Sequence, residues 1–240
     1  MTLCAVIEPL VWESEFFQRS CGRLGFGQDA PPLTAAALDR FALCQAKIAA
    51  SELVRADALA TWGFRLAEGE ASFCMSVVPA ARAQFAVGVR QAEIGDIPVL
   101  RAAAAQSFVW SRFRPPWYRE DDCGRFYARW VEKAVDGEFD DACLVTVAPG
   151  GALTGFVTLR QQSPQLARIG LLSVLPGMQG QGIGRQLMQV SRVWCQQRRI
   201  RRLAVATQTS NLPAMRLYLG SGARLESTAY WLYRSAHDPI

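Results

Sequence analysis

Val174-Leu175-Pro176-Gly177-Met178-Gln179-Gly180-Gln181-Gly182-Ile183-Gly184-Arg185 is the stretch on which the fold turns. It follows an apolar run from Ile169 and precedes Gln186-Leu187-Met188 and an apolar-periodic segment. That order predicts a strand, a glycine-rich turn and a helix. The glycines at 180, 182 and 184 bare backbone N–H groups where the helix starts. Such a start carries partial positive charge and unpaired donors, so it suits a pyrophosphate. Two familiar phosphate motifs are excluded. A kinase-type loop requires Lys and then Ser or Thr after its last glycine, whereas Ile183-Gly184 follow Gly182. The dinucleotide fingerprint requires a third glycine three places after the second, and those places hold Arg185 or Leu187. Taken alone, the loop is equally compatible with a turn that packs a helix on a strand.

C-terminal to this stretch the pattern repeats: a strand over 203–207, a polar junction Gln208-Thr209-Ser210-Asn211, a helix from Pro213 to Leu219, Gly222, and a last strand from Ala223 to Tyr233. N-terminal to it, Arg168 to Val174 reads as a strand. Leu144–Ala148 and Gly155–Arg160 form a hairpin around Pro149-Gly150-Gly151. Further upstream lie an aromatic-rich helix through Phe126, Tyr127 and Trp130, and a helix capped by Asp96 with Pro98 in its first turn. The first residues give a short strand at 3–7, an aromatic cluster at helical spacing (Trp12, Phe16, Phe17) and a second strand at 22–27. Thr34 then caps a predicted helix through Leu38, Phe41, Leu43 and Ile48. A helix over Ala56–Thr61 stops at Gly63 and leads into an extended segment from Phe64 to Met75. Helix–Gly63-Phe64-Arg65-Leu66-Ala67-Glu68 echoes helix–Gly222-Ala223-Arg224-Leu225-Glu226, although Gly commonly ends helices. The small, proline-marked segment 79–84 is the best linker candidate. The expectation is therefore an N-terminal α/β domain (1–78, acceptor side), a linker (79–84) and a catalytic domain (85–240).

The chain has 240 residues, half of them hydrophobic and a fifth charged, the balance of a globular protein with a sizeable core. Lys and Arg total 26 against 21 Asp and Glu, a net charge of +5. This mild bias suits anionic ligands without the clustered stripe expected for nucleic acid, so no nucleic-acid partner is expected. The one dense basic run, Arg198-Arg199-Ile200-Arg201-Arg202, follows a predicted helix end, where cations complement the dipole. The seven cysteines are odd in number and lack CxxC spacing, which reads as buried thiols in a reducing compartment. No run of 18 apolar residues occurs and no signal peptide is visible, so a cytoplasmic protein with no membrane partner is expected. His237 is the only histidine and sits in the tail. A Ser/Cys–His nucleophile system and a three-histidine metal site are therefore not expected, and no metal is.

Val174-x-Pro176-x-x-Gln179-x-x-Gly182-x-Gly184 resembles the coenzyme A loop of the GCN5-related N-acetyltransferase superfamily. Asn211-x-x-Ala214-x-x-Leu217-Tyr218-x-x-x-Gly222, beginning 27 residues beyond Gly184, resembles that superfamily's second signature. The resemblance implies an α/β fold with a mixed, largely antiparallel sheet flanked by helices, here behind a smaller N-terminal α/β domain. It implies acetyl-CoA as co-substrate. The N–H groups of Gln179, Gly180, Gln181, Gly182, Ile183 and Gly184 would hold its pyrophosphate. Leu172, Ser173 and Val174 would line the pantetheine and thioester, and Asn211 would hydrogen-bond the pantetheine arm. Tyr218 occupies the position of the family's usual general acid, and a phenol is protonated at neutral pH. Tyr218 is also consistent with a core residue of an amphipathic helix. The acceptor amine must lose a proton, and Glu68 and Glu70, on one side of a strand, are candidate bases with Glu68 first. A solvent-facing strand edge is the competing account of both.

Ile7-Glu8-Pro9-Leu10, Gln45-Ala46-Lys47-Ile48-Ala49-Ala50-Ser51, Ser111-Arg112-Phe113-Arg114-x-Pro116-Trp117-Tyr118, Gly124-Arg125-Phe126-Tyr127-Ala128 and Glu226 to Arg234 extend the resemblance. They are similar to the family that acetylates dTDP-4-amino-4,6-dideoxygalactose in enterobacterial common antigen synthesis. This implies a small-molecule nucleotide-sugar substrate and attack by its 4-amino group. Relatives of this kind often form homodimers. Arg112 and Arg114 would then pair with the diphosphate, and Phe113, Trp117 or Tyr118 would stack on the base or sugar. A loop packed on the domain surface is the alternative for these residues. Another amino-sugar nucleotide, a protein amine, or a CoA-binding regulatory module without activity also remain open.

Overall fold

The computed structural model describes residues 2–80 and 83–236. His237 and part of the expected 79–84 linker lie outside the described residues. The strands are β1 (Val6–Pro9), β2 (Cys21–Gly25), β3 (Leu43–Ala49), β4 (Arg65–Ser76), β5 (Val89–Gln91), β6 (Ala142–Val147), β7 (Leu153–Ser163), β8 (Leu166–Val174), β9 (Arg202–Gln208) and β10 (Arg224–Ser235). The helices are α1 (Val11–Phe17), α2 (Ala35–Leu38), α3 (Leu53–Ala60), α4 (Ile97–Ser107), α5 (Asp122–Val135), α6 (Ile183–Gln197) and α7 (Leu212–Gly220).

All ten strands join one sheet in the order β1-β2-β3-β10-β4-β9-β8-β7-β6-β5. Neighbours are antiparallel except β2–β3 and β8–β9. The sheet runs across the sequence boundary expected at 79–84. β4, from the N-terminal side of that boundary, lies between the C-terminal strands β10 and β9. The Gly63 and Gly222 echo is reproduced in space: both glycines take positive φ, 79° and 89°, and the strands they launch pair with one another.

One predicted element is corrected. Thr34 does cap a helix, its hydroxyl accepting from the Ala37 N–H, but that helix ends at Leu38, and Leu43–Ala49 is a strand. Leu38, Phe41, Leu43 and Ile48 mimic a helical stripe. The segment pairs with β2 on one edge and β10 on the other, and ladder pairing on both sides overrides local periodicity.

Apolar residues form three buried clusters. One packs α4 and α5 on the sheet around Phe113, Phe126, Phe156 and Tyr233. A second packs α6 and α7 on the opposite face around Leu159, Leu187 and Trp194. The third closes the β1–β3 end around Leu38 and Leu59. Face assignment along β8 changes once. Ala167 and Ile169 face α6, whereas Leu171 and Leu175 belong to the α4–α5 side. The switch is a bulge, where Thr158 of β7 stands opposite both Gly170 and Leu171. The Thr158 hydroxyl accepts the Leu171 N–H at 2.9 Å and holds the bulge.

Candidate active site

β8 and β9 pair only from Leu166/Arg202 to Ile169/Val205. β8 then runs to Val174 and β9 to Gln208 without pairing to each other. A wedge opens between two strands that are neighbours at their other ends. Which donors face the wedge follows from the β7–β8 ladder. The Leu175 N–H donates to the Thr154 carbonyl, and Gly155, Phe156 and Val157 continue that register opposite Val174, Ser173 and Leu172. Hydrogen-bonded and non-bonded pairs alternate in an antiparallel ladder. Ser173 therefore bonds β7, and the N–H groups of Leu172 and Val174 point into the wedge. Of the three strand residues expected to serve the thioester, Ser173 is committed twice, since its hydroxyl also donates to the Ser107 hydroxyl at 2.7 Å.

At the end of β8 the loop turns into α6 through Gly177, Gly180 and Gly182, with φ of 82°, 78° and 80°. These are left-handed conformations that favour glycine. The first helical bond is Gln186 N–H to the Gly182 carbonyl, so the N–H groups of Ile183, Gly184 and Arg185 are free of helical partners. Gln179, Gly180, Gln181 and Gly182 are exposed around them. Gly184 lets α7 approach: a Cβ there would sit 3.1 Å from Leu217 Cδ2. Gly155 lets α6 approach the sheet: a Cβ would meet Ile183 Cγ2 and Leu187 Cδ1 at 2.9 Å. Both contacted side chains are buried and have no room to yield. Gly155→Val is therefore expected to lift the first turn of α6, costing about 1–3 kcal/mol of stability and raising KM for acetyl-CoA. Thermal melts with acetyl-CoA kinetics check both effects.

Asn211 caps α7, its side-chain oxygen accepting from the Ala214 N–H at 3.2 Å, so its amide NH2 is the part left for a ligand. Two turns on, Tyr218 is 5% exposed, with its ring edge-on to Phe73 at 5.6 Å. Its hydroxyl has no hydrogen-bond partner among the described residues and the side chain lines the cleft. Burial pushes its phenol well above the ordinary value. Tyr218 is thus a packed residue of α7 that also lines the cleft.

The wedge is one side of a cleft of about 770 Å³, the size of a small-molecule site. Its other wall is formed by Glu68 and Glu70 of β4, Trp231 of β10, Tyr127 and Trp130 of α5, and Phe108 and Trp110 beyond α4. Glu68 is half-buried and accepts the N–H of Gly69 at 2.8 Å. Glu70 accepts from Lys47 at 2.7 Å and from the Trp231 indole at 3.0 Å. Burial alone would raise the Glu70 carboxyl. Those two hydrogen bonds, with the charges of Lys47 and Arg168, outweigh it and hold the group below its ordinary value. Glu70 is a fixed anion, which leaves Glu68 as the freer carboxylate. The depressed value stabilises the fold above the unfolded carboxyl's pKa, and that contribution disappears as pH falls through the folded value. Lys47→Met should accordingly lower stability at neutrality and shift acid unfolding to higher pH, the difference from the parent shrinking as pH falls through the folded value. Far-UV circular dichroism across an acid titration measures this.

Of the expected acceptor contacts, Phe113 is buried at the cleft lining, and the other four are placed differently. Arg112 reaches the cleft wall, but its guanidinium is engaged by Glu13 at 3.0 Å, Gln45 at 2.9 Å and the Tyr233 hydroxyl. It also lies 4.2 Å from the ring centroids of both Phe113 and Trp231. Arg114 binds the carbonyls of Ala67 and Leu66 on β4. Trp117 and Tyr118 are 4% exposed and pack on Tyr233. None of the last three lines the cleft. The cleft aromatics Phe108, Trp110, Trp130 and Trp231 were not singled out as site residues. The aromatic spacing of α5 was visible in sequence, but the face it presents to the cleft was not.

The donors just described fit coenzyme A: free N–H groups at the α6 start for a pyrophosphate, and two in the wedge for a pantetheine and thioester. The pattern of the Acetyltransferase (GNAT) family matches residues 104–222. A dTDP-fucosamine acetyltransferase from Escherichia coli is 44% identical over 234 residues, covering 98% of this chain and 100% of that protein. Among solved structures, a GCN5-related N-acetyltransferase from Sphaerobacter thermophilus superposes with a TM-score of 0.57 at 19% identity, over 82% of this chain and 61% of that one. A tandem GNAT protein from the clavulanic acid biosynthesis pathway gives 0.59 at 14% identity, over 92% and 76%. These two likenesses concern the fold alone.

Proposed function

The chain belongs to the acetyltransferase (GNAT) family, and from that premise we propose that it moves acetyl from acetyl-CoA to the 4-amino group of dTDP-fucosamine (dTDP-4-amino-4,6-dideoxy-D-galactose). The observation carrying this reading is the wedge itself, where two unpaired strand N–H groups, a partnerless buried phenol and two carboxylates line one cleft. The acceptor follows from the relative that is alike over the whole chain, including the strands that build the carboxylate wall.

The residues divide the work as follows. Backbone N–H groups at the α6 start hold the pyrophosphate, and those of Leu172 and Val174 hold the arm and polarise the thioester carbonyl, stabilising the oxyanion as it develops. Asn211 steadies the arm through its amide NH2. Glu68 takes the proton from the acceptor ammonium, directly or through a water, so that the neutral amine attacks. Glu70, fixed by Lys47 and Trp231, keeps the wall anionic and favours a cationic amine entering the cleft. Tyr218 donates to the departing sulfur. A dry site raises the phenol, and it raises the basicity of a thiolate leaving into that site in the same direction, so transfer stays feasible.

Thiol release from acetyl-CoA across a panel of dTDP- and UDP-linked amino sugars tests the reading. Turnover is expected with dTDP-4-amino-4,6-dideoxygalactose, with an amide formed at N4. Turnover confined to UDP sugars or to peptide amines would overturn it.

A further inference from the structure

Arg112 and Arg114 are occupied within the protein, so the acceptor's diphosphate requires another cation. Arg168 of β8 is exposed, lines the cleft, and makes no hydrogen bond or contact ion pair among the described residues. Directly opposite it in the β7–β8 register stands Arg160. Like charges directly opposite across an antiparallel pair are destabilising. On its other flank Arg168 is level with Ala204 of β9, and Ala204 with Cys74 of β4, neither of which answers the charge.

The nearby carboxylates are already held. Glu70 is bound by Lys47 and Trp231. Asp140 is 3% exposed and accepts the Trp130 indole N–H at 2.9 Å, and burial raises its carboxyl. Arg160 extends over the ring of Phe139, 5.4 Å from its centroid. Two arginines therefore stand opposite one another in the sheet, Arg168 lining the cleft and Arg160 next to that lining, with no contact carboxylate for either among the described residues.

We infer that Arg160 and Arg168 form the subsite for the diphosphate of the nucleotide-sugar acceptor. The inference rests on the acceptor reading above and deepens it. Position supports it: Arg168 lies four residues before Leu172, which the bulge shortens to the span of three residues of β7, about 10 Å. One pyranose ring and an arginine side chain fill that distance, which sets the sugar amine at the wedge while the phosphates meet the guanidiniums. The free N–H groups at the α6 start lie past the other end of β8, so this subsite is separate from the one that holds the CoA pyrophosphate. Arginine pairs bind phosphate oxygens through paired N–H donors, giving geometry as well as charge.

Calorimetric binding of dTDP to the full-length protein, Arg168→Gln and Arg160→Gln/Arg168→Gln tests the inference, with acetyl-CoA kinetics alongside. The affinity for dTDP should fall about tenfold in the single variant and about a hundredfold in the double, from the strength of hydrogen bonds to charged groups. KM for acetyl-CoA should stay at the parent value, and melting temperatures establish that both variants fold. Equal dTDP affinity in all three proteins would place the diphosphate elsewhere and overturn the subsite while leaving the acceptor reading intact. A parent protein that does not bind dTDP would overturn both.

Discussion

Tyr218→Phe is expected to lower kcat by about a hundredfold or more, with KM for acetyl-CoA nearly unchanged. The magnitude is that of a positioned general acid. The phenyl ring keeps the packing on Phe73 and the α7 face, so the variant removes one oxygen and little else. That oxygen has no hydrogen-bond partner among the described residues to leave stranded. Because burial raises the phenol, it stays protonated throughout the neutral range, and loss of its proton should not limit the rate there. An alkaline fall in kcat/KM near neutrality would belong to another group. Steady-state kinetics with thiol detection decide the matter: a Phe variant turning over at the parent rate removes Tyr218 from the chemistry.

Arg112→Met should lose about 3 kcal/mol of stability, which for a chain of this size lowers Tm by roughly 10 °C. The guanidinium and Glu13 are only 18% and 12% exposed at their side chains, so truncation leaves a carboxylate in a largely dry setting. Gln45 and the Tyr233 hydroxyl lose a partner at the same time. Glu13→Gln/Arg112→Met should recover part of the loss, since the stranded charge is then gone. Arg112→Lys should not, because one ammonium cannot reproduce a planar fork shared among Glu13, Gln45 and Tyr233. Differential scanning calorimetry of the parent and these three variants measures each loss. A purely ligand-binding arginine would leave Tm where it was.

The contrast between Tyr218 and Arg112 marks what the sequence can disclose. The donor half of the cleft is written locally. Glycines at 180, 182 and 184, the Asn211 cap and Tyr218 two turns later are separated by short intervals that secondary structure converts directly into geometry. The acceptor half is assembled from β4, β8, β10 and α5, and nothing local says which arginine is spoken for. Arg112 is neutralised by Glu13, 99 residues away, and Arg114 by carbonyls of β4. Arg168 lies in an apolar strand and acquires meaning only when the β7–β8 register sets Arg160 opposite it. The same limit explains β3. Its helix-like spacing is a coincidence that pairing with β2 and β10 overrules.

β10 enters between β3 and β4, which do not pair with one another. Of the ten described strands, the last in sequence is thus the one that closes the gap between two early ones. Until about residue 235 has been synthesised, β3 and β4 each keep an unpaired edge, and Lys47 and Glu70 lack the Trp231 ring they share. Pairings of such long sequence separation form slowly, and open strand edges invite association while they wait. The carboxylate wall of the cleft is therefore completed only once β10 has been made, and a chain lacking that strand would present β3 and β4 as two exposed edges with no floor between them.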